Sequence, residues 1–219
     1  MLTVPRYLSP LTQTMGFLPS KREAPSLRVH LTHNLKRLLQ ILVARPKPHL
    51  LDLGRLNSHN IDWLVHRGFR VSVDDRITPL TAPAMSPLDN RKEEKKTSSP
   101  PSLEIREYAV TSFDGILCWD LFDYIVMKQA QELLSGLEAI LKPKALLLAF
   151  FNFNRSAPLS PTRYRIHQED QLEFEPLTQS SIPRRVYENR EIQDLFSQFK
   201  LLNSCFLKNQ MREVLVQKM

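Results

Sequence analysis

The residues of this chain that could do chemistry stand at the ends of apolar runs. Asp52 and Gly54 close the run His49–Leu53. A glycine after a buried strand lets a ligand approach the backbone, because it carries no Cβ. A carboxylate beside it can accept hydrogen bonds from a ligand's amino or hydroxyl groups. Asp74 and Asp75 end a second run, Phe69–Val73. Neighbours on a strand face opposite sides, so one of the two can face the Gly54 turn. Trp119, Asp120 and Asp123 end a third run, which starts at Phe113. Asp120 is the general-base candidate there, at the point where a reacting group would lie. His167 is a further, lone candidate base.

Glycine usage fixes where a ligand cradle can be. Five glycines in 219 residues, at 16, 54, 68, 115 and 136, are about 2% of the chain against a usual ~7%. No second glycine-rich loop exists, so any phosphate or cofactor cradle must lie at Gly54.

Whole-chain composition narrows the class. Apolar residues are 42% and charged residues 24%, a globular balance. The length suits one α/β domain with an extension. A net charge of +7 favours anionic partners and leaves nucleic acid open as one. The basic residues are scattered, however, and the dense group Arg91–Lys96 is offset by Glu93 and Glu94. Cys118 and Cys205 sit in apolar runs and read as free thiols in a reducing, cytoplasmic setting. Metal-ligand spacings of the CxxC or HExxH kind are absent. No apolar run approaches the ~20 residues needed to span a bilayer, and the proline-broken start is not a signal peptide.

The elements that must position these residues follow from periodicity. Residues 1–25 read as an irregular extension, and 26–219 as the domain. Ser26–Ala44 carries apolar residues at steps of three and four and predicts a helix with Ser26 as N-cap, stopped by Pro46 and Pro48. His49–Leu53, a turn, a helix over Asn60–His66 and a strand over Phe69–Val73 make a βαβ unit. Residues 76–102 read as a polar, flexible insertion. A strand is expected near Leu103–Tyr108, then one in Phe113–Ile125 and a helix to about Leu141. Ala145–Phe151 reads as a fully buried strand. A helix over Asn189–Gln198 precedes an antiparallel hairpin of Leu201–Leu207 and Arg212–Gln217.

This order resembles the class I S-adenosylmethionine (AdoMet)-dependent methyltransferases over about residues 27–218. LLDLG, with Asp52 and Gly54, resembles their first motif, and Gly68 sits at the turn into the second strand. Asp75 falls 23 residues after Asp52, at the usual distance of the ribose-binding acid. FDGILCWDLFDYI resembles the fourth-strand motif, LEAILKPKALLLAFF the helix and fifth strand, and REVLVQK the last strand. The resemblance implies a Rossmann-like three-layer α/β sandwich, with a mostly parallel seven-stranded sheet and a C-terminal antiparallel hairpin. It implies S-adenosyl-L-methionine as cofactor, held by Asp52, Gly54, Asp75 and Trp119. Asp120 would face a methyl acceptor, which the sequence does not identify, and Tyr164–Pro176 lies where the family builds a substrate lid.

Two departures stand against this. Leu56 and Ser58 occupy positions where the family commonly has glycine. Leu56 is expected to fill the methionine or ribose space, or to turn into the core. The alternative is then a catalytically inactive, methyltransferase-like binding or scaffold protein that has lost its cofactor.

Overall fold

A computed structural model describes residues 28–81, 103, 105, 108–153, 161–177 and 184–219. The expected N-terminal extension, Ser26 and most of the polar insertion lie outside the described residues. The insertion does begin with a short helix, Ile77–Thr81.

Apolar, β-rich runs make a six-stranded sheet. Its strands are β2 (His49–Asp52), β3 (Arg70–Val73), β4 (Phe113–Trp119), β5 (Leu141–Asn152), β8 (Phe199–Phe206) and β9 (Met211–Lys218), in the order β3-β2-β4-β5-β9-β8. The pairs β3–β2, β2–β4 and β4–β5 are parallel. Strand β9 runs antiparallel to both β5 and β8. The single reversed strand is therefore inserted by the terminal hairpin, as the resemblance implies. Seven strands were expected and six are present among the described residues. Of the expected strand at 103–108, residues 103, 105 and 108 are described, and none is in a strand.

Strands β4 and β5 are buried along most of their length. Successive side chains of β5 serve opposite faces. Phe150 stacks on Trp119, while Phe151 packs on Phe122, Tyr187 and Phe196. The helices are α1 (His33–Val43), α2 (Ser58–Val65), α3 (Ile77–Thr81), α4 (Met127–Ile140) and α5 (Asn189–Leu195). At Gly115 the absence of a Cβ admits α1, since an added Cβ would fall 2.6 Å from Leu42 Cδ1. No helix among the described residues is long and apolar enough to cross a membrane.

A second sheet corrects two expectations. Arg28–Leu31 is strand β1 rather than the start of a helix, and Thr32, not Ser26, caps α1 by accepting from the Leu35 N–H at 3.3 Å. Val29 and Leu31 follow the alternation of a strand, and the helical step begins only at Leu35. Tyr164–Pro176, where the resemblance places a substrate lid, lies within β6 (Thr162–Gln168) and β7 (Gln171–Pro176). These three strands form an antiparallel sheet in the order β1-β7-β6. It contacts the carboxyl ends of β4 and β5 through Tyr164, which stacks on both Trp119 and Phe150.

Candidate functional site

In an open, mainly parallel sheet a ligand binds beyond the carboxyl ends of the strands. Asp52 ends β2, Gly54 opens the turn to α2, Asp75 follows β3, and Trp119 ends β4. These four residues gather at one place, and a β-bulge sets what they do there. Leu117 pairs with Leu148 and Trp119 with Ala149, so β4 carries one extra residue against β5. A bulge bends its strand and re-aims the next side chain. Trp119 has φ 50, in the left-handed region that bulky residues rarely adopt.

The indole is turned over Gly54. A Cβ added to residue 54 would fall 2.5 Å from Trp119 Nε1, and closer still to its Cδ1. Trp119 is only 2% exposed. Its Nε1–H donates to Asp52 Oδ1 at 2.6 Å, and the Gly54 N–H donates to the same oxygen at 2.8 Å. Tyr164 and Phe150 stack on it with interplanar angles of 12°. Burial pushes the Asp52 carboxyl up to about 6, against the opposing pull of these two hydrogen bonds.

Asp75 is also engaged. Its Oδ1 accepts from the backbone N–H groups of Ile77 and Thr78, and its Oδ2 from the Leu56 N–H and the Thr78 hydroxyl. Four accepted bonds use the ordinary capacity of a carboxylate. Asp75 thus caps α3 and ties it to the Gly54 turn. Arg55 reinforces the tie by donating to the hydroxyls of Thr78 and Thr81. Leu56 neither fills the ligand space nor enters the core: it is 64% exposed. Trp119 occupies the place that Leu56 was expected to block.

Asp120 is fully buried in a charge cluster beneath this layer. Its Oδ2 lies 3.0 Å from Arg184 Nη2 and accepts from the Tyr124 hydroxyl at 3.0 Å. Asp123, also fully buried, lies 3.9 Å from Arg184 Nη1 and accepts from the Asn152 N–H. Burial raises both carboxyls above their ordinary range. For Asp123 the neighbouring Asp120 raises it further, whereas for Asp120 the Arg184 guanidinium pulls the other way. Arg184 had no role in the sequence reading. His167 is exposed on β6.

The first turn of α2 holds the second sheet in place. Asn60 Nδ2 donates to the Tyr164 carbonyl at 2.9 Å, and Asn60 Oδ1 accepts from the Ile166 N–H at 2.8 Å. Asn57 Nδ2 donates to the same Tyr164 carbonyl. His59 Nε2 lies 2.9 Å from the Ile166 carbonyl. The only sequence signal for this clamp is the alternation of Tyr164 and Ile166 with charged neighbours.

AdoMet would ask three things of these residues: space over Gly54, free acceptor capacity on Asp75, and an acid open to its amino group. Trp119 fills the first, α3 and Leu56 use the second, and Trp119 with Gly54 uses the facing oxygen of Asp52. As the side chains stand, the residues do not fit the cofactor.

No protein-family model and no curated protein matches the chain. Solved structures do. A SAM-dependent methyltransferase from Methanosarcina mazei is 14% identical, at a TM-score of 0.49 over 82% of this chain and 97% of that one. Magnesium protoporphyrin IX methyltransferase from Synechocystis PCC 6803, with bound SAM, is 12% identical, at 0.48 over 84% and 78%. A SAM-dependent methyltransferase from Aquifex aeolicus is 14% identical, at 0.44 over 85% and 90%. The strand order, with β9 alone reversed between β5 and β8, is that of the class I methyltransferase-like α/β fold.

Proposed function

We propose that this chain is a methyltransferase-fold binding or scaffold protein whose own indole fills the cofactor cradle. The observation that carries this reading is Trp119 seated over Gly54 with its N–H on Asp52. The indole uses an acceptor that a cofactor's amino group would otherwise use. Tyr164 and Phe150 stack on it as they would on a bound planar ligand. Asp120 is fully buried, with its Oδ2 held by Arg184 and Tyr124, so the base candidate has no open face toward an acceptor.

The second reading is an AdoMet-dependent methyltransferase of unassigned acceptor, in which Trp119 swings away on binding. Its support is that Asp52, Gly54 and Asp75 still stand together at the strand ends, and that Trp119 is held in a backbone conformation that costs free energy.

One experiment separates the two. Thermal unfolding is followed with AdoMet, and with its demethylated product, for the natural chain and for Trp119→Ala. A ligand at 100 times its Kd stabilises the native state by about 2.7 kcal/mol. The filled-cradle reading expects no shift at millimolar ligand for the natural chain. A saturable shift there overturns it in favour of the enzyme. A shift gained only by Trp119→Ala identifies the indole as the block.

A further inference from the structure

A cavity of about 150 Å³ lies between α5 and the β8–β9 hairpin, away from the Gly54 turn. Ile192, Phe196, Phe199 and Val214 give it apolar walls, and Ser204 and Arg212 add polar groups. The strand register puts these two toward the β8–β9 turn, since Arg212 pairs with Phe206 and Ser204 with Val214. Phe199 pairs with Lys218 at the far end. The cationic group therefore lies toward the hairpin turn, while Gln193 and Ser197 add polar groups from the side of α5.

Arg212 is partly buried, yet its partners are neutral. Its Nε donates to Ser204 Oγ at 2.7 Å, its Nη1 to Asn189 Oδ1, and its guanidinium lies 5.4 Å from the centre of the Phe206 ring. No carboxylate among the described residues stands within ion-pairing distance of it. Glu213, next in the chain, faces away and caps α1 by accepting from the His33 and Asn34 N–H groups. Glu191 pairs with Arg185. Burial pulls the Arg212 guanidinium below its ordinary pKa. A cation in such a place is ordinarily offset by an anion.

One partner of Arg212 can serve an anion too. Ser204 Oγ accepts from Arg212, which leaves its own hydroxyl proton to donate. Asn189, the other partner, is exposed and outside the cavity lining. A guanidinium with a neutral hydroxyl donor beside it can pair with a planar carboxylate. An apolar space of 150 Å³ takes a benzene-sized group.

We infer that this cavity binds a small apolar monocarboxylate, with the carboxylate on Arg212 and Ser204 and the hydrocarbon against Ile192, Phe196 and Phe199. This site is independent of the Gly54 cradle, so it stands or falls apart from the function proposed above.

The test is an amide NMR titration of the full chain with octanoate and benzoate, against octanol and benzamide as neutral counterparts. The expected result is saturable shifts in α5, Ser204 and Val214 with the two carboxylates. Arg212→Met should weaken them at least about tenfold, and Ser204→Ala less. If Arg212→Met does not fold, the contrast of octanoate with octanol on the natural chain decides alone. Equal binding of acid and alcohol overturns the assignment to a carboxylate. No shift in α5, β8 or β9 at millimolar carboxylate overturns the site.

Discussion

Gly54 and Trp119 are compatible only as a pair: a Cβ on residue 54 would lie 2.5 Å from the Trp119 indole nitrogen. The indole is held there by Asp52, Phe150 and Tyr164, so it cannot give way freely. Gly54→Ala should therefore destabilise the fold by about 2–3 kcal/mol through overpacking. Trp119→Ala removes the clash and at the same time empties a large volume, at about 3–5 kcal/mol. In the double variant the alanine at 54 should cost little beyond the Trp119→Ala loss. Urea unfolding of the four proteins measures the coupling. Additive costs would show that the indole does not crowd residue 54.

The pH dependence of stability should carry the mark of Asp52. Its carboxyl is pushed up to about 6 in the native state, against about 3.9 in an unfolded chain. The native state then holds this proton more tightly than the unfolded state does. The resulting stabilisation is complete below about pH 4 and is lost as pH rises to about 6, with a total near 3 kcal/mol. Above that the group no longer contributes a slope. Asp52→Asn should remove this component, leaving that of the other carboxyls. The check is denaturant unfolding of both proteins from acid to neutral pH, read as their difference. Parallel curves would rule out a raised Asp52.

The strands that carry the site were legible, and the way the site is filled was not. Runs such as His49–Asp52 and Ala145–Phe151 are apolar enough to require burial, and an acid or a polar residue ends each of them. The terminal hairpin announces itself by two β-rich runs about a short polar turn. Strand β1 was hidden because Val29 and Leu31 alternate by two just before a helix with steps of three and four begins. The fate of Asp75 had a signal that went unread: an acid three residues before Thr78 is a helix-capping pattern. The direction of Trp119 had none. It depends on a one-residue bulge between β4 and β5, and pairing register across a parallel sheet is not written in local periodicity.

Two buried carboxylates share one guanidinium, and they should not be equivalent. Arg184 makes the close contact with Asp120, at 3.0 Å against 3.9 Å for Asp123. Burial, and then the neighbouring Asp120, raise Asp123 well above its ordinary pKa, so it is the carboxyl whose ionised form is the more disfavoured by its surroundings. Asp123→Asn gives up only the longer contact with Arg184 and keeps an amide oxygen for the Asn152 N–H, so it should be the milder change, less than about 0.5 kcal/mol at pH 7. Asp120→Asn removes the carboxyl oxygen that makes the close contact with Arg184 and accepts from the Tyr124 hydroxyl. It should cost at least about 2 kcal/mol more. Melting temperatures of the two variants at pH 7 give the ranking. Equal losses would mean that the carboxylates share the guanidinium evenly.

The clamp between α2 and β6 should control access to Trp119. Asn60 meets the edge of β6 as a neighbouring strand would, giving a donor to the Tyr164 carbonyl and an acceptor to the Ile166 N–H. In Asn60→Ala the Tyr164 carbonyl keeps Asn57, but the Ile166 N–H loses its partner in a buried place. The cost should be about 1–3 kcal/mol. Because Tyr164 stacks directly on the indole, a loosened β6 should also loosen its packing. Two readouts follow from one substitution. Hydrogen exchange at Ile166 should speed up, and quenching of Trp119 fluorescence by acrylamide should increase, measured in a Trp63→Phe background so that one tryptophan reports. Faster exchange without added quenching would show that the second sheet opens independently of the indole, and Trp119 would then be held by Asp52 and Phe150 alone.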